Sequence, residues 1–118
     1  MSRVLDITPE HLVEVQRLLR ARAPRPATVW AFGSRVLGTA TAYSDLDLAI
    51  DAGRRLSWAE QADLQEAFEE GALPFRVDIV DWATVSQAFR DRVASQRIPL
   101  MILPAIDPQA PATTRAGP

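Results

Sequence analysis

Hydrophobic positions recur along the first hundred residues with two different periods, and each change of period marks an element boundary. Leu12, Val15, Leu18 and Leu19 repeat at helical spacing behind Thr8-Pro9-Glu10, which supplies an N-cap, a first-turn proline and an acid, so a helix is expected over about 9–22. Pro24 and Pro26 stop it, and Arg17, Arg20 and Arg22 fall largely off the apolar stripe as a solvated face. Residues 27–32, ATVWAF, are apolar, aromatic and β-branched enough for a buried strand that ends at Gly33-Ser34. Residues 35–44 have no clear period and read as a loop with at most one helical turn.

Strict alternation then returns. In DLDLAID, Leu46, Leu48 and Ile50 share one face and Asp45, Asp47, Ala49 and Asp51 the other. Ser57-Trp58-Ala59-Glu60 fits a capping box, and Leu64, Ala67 and Phe68 give a helix over about 58–70 that ends at Gly71. FRVDIVD alternates again, with Phe75, Val77 and Ile79 opposite Arg76, Asp78 and Val80. Asp81 is placed to cap a third helix over about 82–95, buried through Val85, Phe89 and Val93. IPLMIL at 98–103 reads as a short strand or a docking segment, and Pro99 restricts such a strand to a sheet edge. One domain over 1–103 and a Pro/Ala-rich tail over 104–118 follow from this pattern.

Composition narrows the chemistry. The chain has 118 residues, 47% hydrophobic and 24% charged, the range of one globular domain. It has no cysteine and a single histidine, His11, which excludes thiol catalysis, cysteine zinc sites and a Ser-His-Asp triad in which His11 would need a partner acid nearby. His11 itself reads as a surface side chain. No apolar run reaches bilayer length and the N-terminus lacks a signal-peptide core, so no membrane association and a cytoplasmic location are expected. A net charge of −2 gives no footprint for direct DNA binding. All 13 basic residues are arginine, so a phosphate would be met by guanidinium or backbone N–H groups. Trp30, Trp58 and Trp82 could stack on a base, but core or interface packing is the simpler account.

The informative stretch is GSRVLGTATAYSDLDLAI, where Gly33-Ser34 precedes Asp45-x-Asp47 by a ten-residue spacer and Asp78 follows on the next strand. Asp is depleted within strands, and like charges two positions apart on one face repel, so a cation is expected between them. Outward acids can also simply discourage edge pairing and Gly-Ser is a common loop start, but the Gly-Ser, the spacer, Asp-x-Asp and the later strand Asp should rarely coincide by chance. Asp45, Asp47 and Asp78 would form a triangle of hard oxygen ligands suited to Mg²⁺, its shell completed by water and phosphate. Gly33 allows backbone N–H groups to approach an anion, Ser34 adds a hydroxyl, and Arg35 could fork onto a phosphate. Two such ions could activate an attacking hydroxyl and stabilise leaving pyrophosphate. Ser44 and the adjacent Tyr43 are weaker candidates for contact with the nucleotide or the acceptor.

On these residues the chain resembles the minimal nucleotidyltransferases, or MNT domains, of the DNA polymerase beta superfamily. Their signature is hG[GS], then Dh[DE]h and a later strand carboxylate. The likeness is carried by VWAFGSR, SDLDLAI and RVDIVDW over residues 29–82, and the order of elements extends it to about 103. The resemblance implies an α/β fold, a polymerase beta palm-like small mixed sheet with helices packed on one face. It implies that Gly33 and Ser34 bind the triphosphate, that Asp45 and Asp47 hold both metals, and that Asp78 completes the catalytic metal site and helps activate the acceptor. It further implies ATP as substrate, two Mg²⁺ ions, and an antitoxin role beside a helical HEPN ribonuclease, silenced by adenylylation of a tyrosine. A non-catalytic binding antitoxin and a transferase for small molecules or RNA 3′ ends are the rival functions. Intact clustered acids weigh against the first, and a chain too short for an acceptor-gripping second domain weighs against the second.

Overall fold

The computed structural model describes residues 4–105. Four helices and four strands alternate along the chain: α1 Pro9–Arg22, β1 Ala27–Phe32, α2 Ser34–Leu37, β2 Leu46–Asp51, α3 Trp58–Glu70, β3 Val77–Asp81, α4 Gln87–Ala94 and β4 Ile98–Leu103. The tail expected from 104 lies, from residue 106 onward, outside the described residues.

The strands form one mixed sheet in the order β3-β2-β1-β4. β1 is antiparallel to both β2 and β4, and β2 is parallel to β3. A parallel pair needs a crossover, and α3 provides it between β2 and β3. β4 takes an edge position, consistent with Pro99, whose nitrogen cannot donate to a ladder. Its pairing with β1 shifts register between Val29 and Trp30, where Val29 faces Met101 and Trp30 faces Pro99.

Local signals fix the helix ends. Thr8 accepts from the His11 N–H and Pro9 opens α1. Ser57 and Glu60 form the reciprocal capping box of α3, which Arg54 extends by donating to both Glu60 oxygens. That guanidinium and the Ser57 N–H hold the Glu60 carboxyl down to about 2.

The core lies on one face of the sheet. Val29 and Ala31 of β1, Leu46, Leu48 and Ile50 of β2 and Val77 of β3 pack against Val15, Leu18 and Leu19 of α1 and Leu64, Ala67 and Phe68 of α3. In β2 and β3 these are the positions that alternation assigns to one side, and the burial of the whole set is the main force holding the sheet to α1 and α3. α4 adds a smaller layer on the other face: Val93 is fully buried against Phe32 and Ala49, with Trp30, Val80, Trp82 and Phe89 packed around it.

α4 starts at Gln87, five residues later than the pattern suggests, with Ser86 rather than Asp81 as its cap. The reason lies at Asp81, which is in register with Ile50 on the core face and is 5% exposed. Its carboxylate accepts from the Leu56 and Ala83 N–H groups and its carbonyl from Thr84, closing a turn where the helix was expected.

Candidate active site

On the sheet face opposite α1 and α3, the strand registers build two rows of side chains. Phe32, Asp47 and Asp78 are cross-strand neighbours in one, and Trp30, Ala49 and Val80 in the next. α4 covers the apolar part of this face through Val93. Asp47 and Asp78 are left partly exposed side by side, with exposed Asp45 two residues upstream at the mouth of β2.

These carboxylates act on one another. Burial, then the charge of Asp78 and then that of Asp45, push the Asp47 carboxyl up to about 6. Asp78 Oδ1 has a counterion in Arg76, whose Nε lies 3.1 Å away. Among the described residues, no three acidic or histidine side chains already enclose a cation position. The donor set nevertheless fits Mg²⁺, which takes hard oxygens, binds through one or two carboxylates, and keeps water and phosphate in its remaining positions. Asp47 and Asp78 on adjacent strands meet that requirement, and their mutual repulsion is what a divalent cation relieves.

The loop after β1 touches this group directly. Gly33 has φ +82°, and a Cβ built there would sit 2.2 Å from Asp47 Oδ2. Glycine is thus required both by its backbone conformation and by the closeness of the carboxylate. Its N–H donates to Gln96 Oε1 at 2.8 Å. Ser34 opens α2, and its hydroxyl has no hydrogen-bond partner among the described residues.

Arg35 departs from expectation. It is 4% exposed and donates to the carbonyls of Asp6, Ala42 and Ser44, while its guanidinium lies 4.1 Å from the Phe75 ring centroid. A guanidinium bound to three backbone oxygens and stacked on an aromatic ring is not available to fork onto a phosphate. Arg35 instead pins the spacer between Ser34 and Asp45 to the N-terminal segment. Ser44 is also engaged in that spacer, its Oγ accepting from the Thr41 N–H at 2.8 Å. Tyr43 beside it is 81% exposed.

Arg76 and Gln96 also reach this group, and neither belongs to a sequence motif. Arg76 had a detectable signal, since it shares strand parity with Asp78 two residues on. Gln96 had none, because its approach to Gly33 spans 63 positions and depends on where α4 ends.

The tryptophans separate by environment. Trp30 and Trp82 pack at 5.5 Å, with the Arg97 guanidinium 3.9 Å from the Trp30 centroid and 5.3 Å from that of Trp82. Trp58, at the start of α3, is 93% exposed.

Residues 14–102 match the family described as Polymerase beta, Nucleotidyltransferase. A relative from Haemophilus influenzae, named probable protein adenylyltransferase MntA, is 52% identical over 87 residues, covering 74% of this chain and 75% of the relative. A crystal structure of a toxin-antitoxin with AMP-PNP contains a chain that superposes with a TM-score of 0.66 at 29% identity, covering 76% of this chain and 72% of that one. A structure of a tri-AMPylated Shewanella oneidensis HEPN toxin in complex with MNT antitoxin gives a TM-score of 0.60 at 27% identity, covering 78% and 70%.

Proposed function

The chain belongs to the polymerase beta nucleotidyltransferase family, and from that membership we propose that it is a Mg²⁺-dependent protein adenylyltransferase. It transfers AMP from ATP to a tyrosine hydroxyl of a HEPN-type toxin and so acts as that toxin's antitoxin in the cytoplasm. The observation that carries the reading is the cross-strand pair Asp47 and Asp78 against Gly33, in a chain 52% identical to a protein named as an adenylyltransferase. The AMP-PNP found with a structural neighbour supports ATP as the donor, and the AMPylated HEPN toxin of another supports the acceptor. No helix among the described residues is long and apolar enough to cross a membrane.

In this reading Asp45 and Asp47 would hold both metal ions and Asp78 would complete the catalytic metal site. Bound Mg²⁺ would supply Lewis acidity to the displacement. Gly33 lets the triphosphate approach closely, and the free Ser34 hydroxyl donates to a phosphate oxygen. The acceptor hydroxyl attacks the α-phosphorus, a new P–O bond forms as the bond to the β-phosphate oxygen breaks, and pyrophosphate leaves. Asp78 takes the hydroxyl proton on Oδ2, while Arg76 on Oδ1 holds the carboxylate in orientation.

The test is co-expression with the partner toxin followed by intact-mass measurement after incubation with ATP and Mg²⁺. The partner is expected to gain the mass of one or more AMP units, and to gain none with Asp45→Asn. A partner whose mass never changes would sink the reading.

A further inference from the structure

Gln96 belongs to no motif, yet its side chain reaches the centre of the site. Its position is fixed by the end of α4: its own N–H and that of Arg97 both donate to the Val93 carbonyl, at 3.0 and 2.8 Å. Arg97 is stacked over Trp30, which anchors the same turn to the sheet. From there Gln96 Oε1 accepts the Gly33 N–H at 2.8 Å, beside the carboxylate of Asp47.

This hydrogen bond also fixes the other half of the carboxamide. Gly33 offers a donor, so the oxygen of Gln96 must face it and Nε2 must point elsewhere. The group is planar and rigid, so Nε2 lies within roughly 5 Å of the Gly33 nitrogen. Its two hydrogens have no acceptor among the described residues.

A triphosphate seat beside acids needs donors, and the obvious ones are missing. The chain has no lysine, and Arg35 is committed to three carbonyls. A neutral amide can donate to a phosphate oxygen there without adding a positive charge that would compete for the carboxylates. We infer that Gln96 is part of the triphosphate site, bracing Gly33 through Oε1 and donating through Nε2 to a phosphate oxygen of the nucleotide. The inference rests on the proposed nucleotidyltransferase reading and adds a binding residue to it.

Two variants test it, with binding of Mg²⁺–AMP-PNP measured by calorimetry and folding by thermal melts. Gln96→Met removes both polar atoms and keeps the length, whereas Gln96→Glu keeps an acceptor for Gly33 and removes the donor. Both are expected to raise Kd at least about tenfold, the scale of a lost hydrogen bond to a charged group. The KM for ATP should rise with kcat changed much less. If only Gln96→Met binds weakly, Gln96 merely braces Gly33 and the donor role is overturned. If only Gln96→Glu does, the effect is charge acting at a distance and the inference also falls. If the unaltered protein fails to bind AMP-PNP, the functional reading fails first and takes the inference with it.

Discussion

A methyl group on Gly33 would collide with the carboxylate of Asp47, so the loop after β1 packs directly against this charge. The Asp47 carboxyl is raised to about 6 by burial, Asp78 and Asp45, so the folded chain binds this proton more tightly than the unfolded chain does. The contribution of Asp47 to metal-free stability is therefore fully present below the ordinary Asp range and is lost as pH rises through about 6. The full shift corresponds to about 3 kcal/mol, but Asp47 is partly exposed and solvent screening reduces this to about 1 kcal/mol. Asp47→Asn is expected to remove that dependence, making the protein more stable than the parent at pH 7.5 in EDTA while abolishing transfer. Urea melts at pH 4.5 and 7.5 check it, and parallel pH profiles for the two proteins would refute it. Arg35 gives the opposite result: Arg35→Gln is expected to cost about 3 kcal/mol without any nucleotide present, because a buried guanidinium's hydrogen bonds to three carbonyls are lost. Unchanged melting with weakened AMP-PNP binding would instead restore the phosphate contact expected from sequence. The motif revealed that Arg35 mattered but not why, since its acceptors at Asp6, Ala42 and Ser44 are set by tertiary structure.

At the scale of elements, alternation was a dependable guide. β1, β2 and the faces of α1 and α3 lie where the periods place them, because each buries one side against a single core. The same rule places Asp78 outward and Asp81 inward, for the two are three residues apart on one strand. A helix-cap signal at Asp81 masked this, and α4 was therefore expected too early. The difference can be measured. Asp81→Asn leaves one oxygen to serve the Leu56 and Ala83 N–H groups and sets an NH₂ against a donor. It is expected to cost about 2 kcal/mol in thermal or urea melts and to leave nucleotide affinity unchanged. Asp78→Asn, on the open face, is expected to leave stability within about 0.5 kcal/mol and to stop transfer. Equal stability losses in the two variants would contradict the assignment of one aspartate to the fold and the other to the site.

Across the whole molecule, one face of the sheet is given to the core and the other is shared between α4 and the acids. This division explains both what the domain can do and what it lacks. The acids and the loop proposed to bind phosphate lie on or directly beside β1, β2 and β3, so the fold itself sets their spacing. Nothing among the described residues forms a second lobe over the acids to hold an acceptor, and positioning supplies much of the rate in phosphoryl-type transfer. The acceptor protein must supply that positioning through its own docking, which makes binding and chemistry separable. Asp45 is exposed, and a lone exposed charge contributes at most about 1 kcal/mol to an interface. Asp45→Asn should therefore bind the partner toxin within about fivefold of the parent affinity by calorimetry. Transfer should nevertheless fall at least about a thousandfold in single-turnover mass spectrometry, since the residue proposed to hold both ions is lost. Toxicity in cells then reports which function neutralises the partner. Growth arrest with Asp45→Asn despite an intact complex means that modification is what silences the toxin, whereas full suppression by the same variant means that the complex suffices and catalysis is secondary.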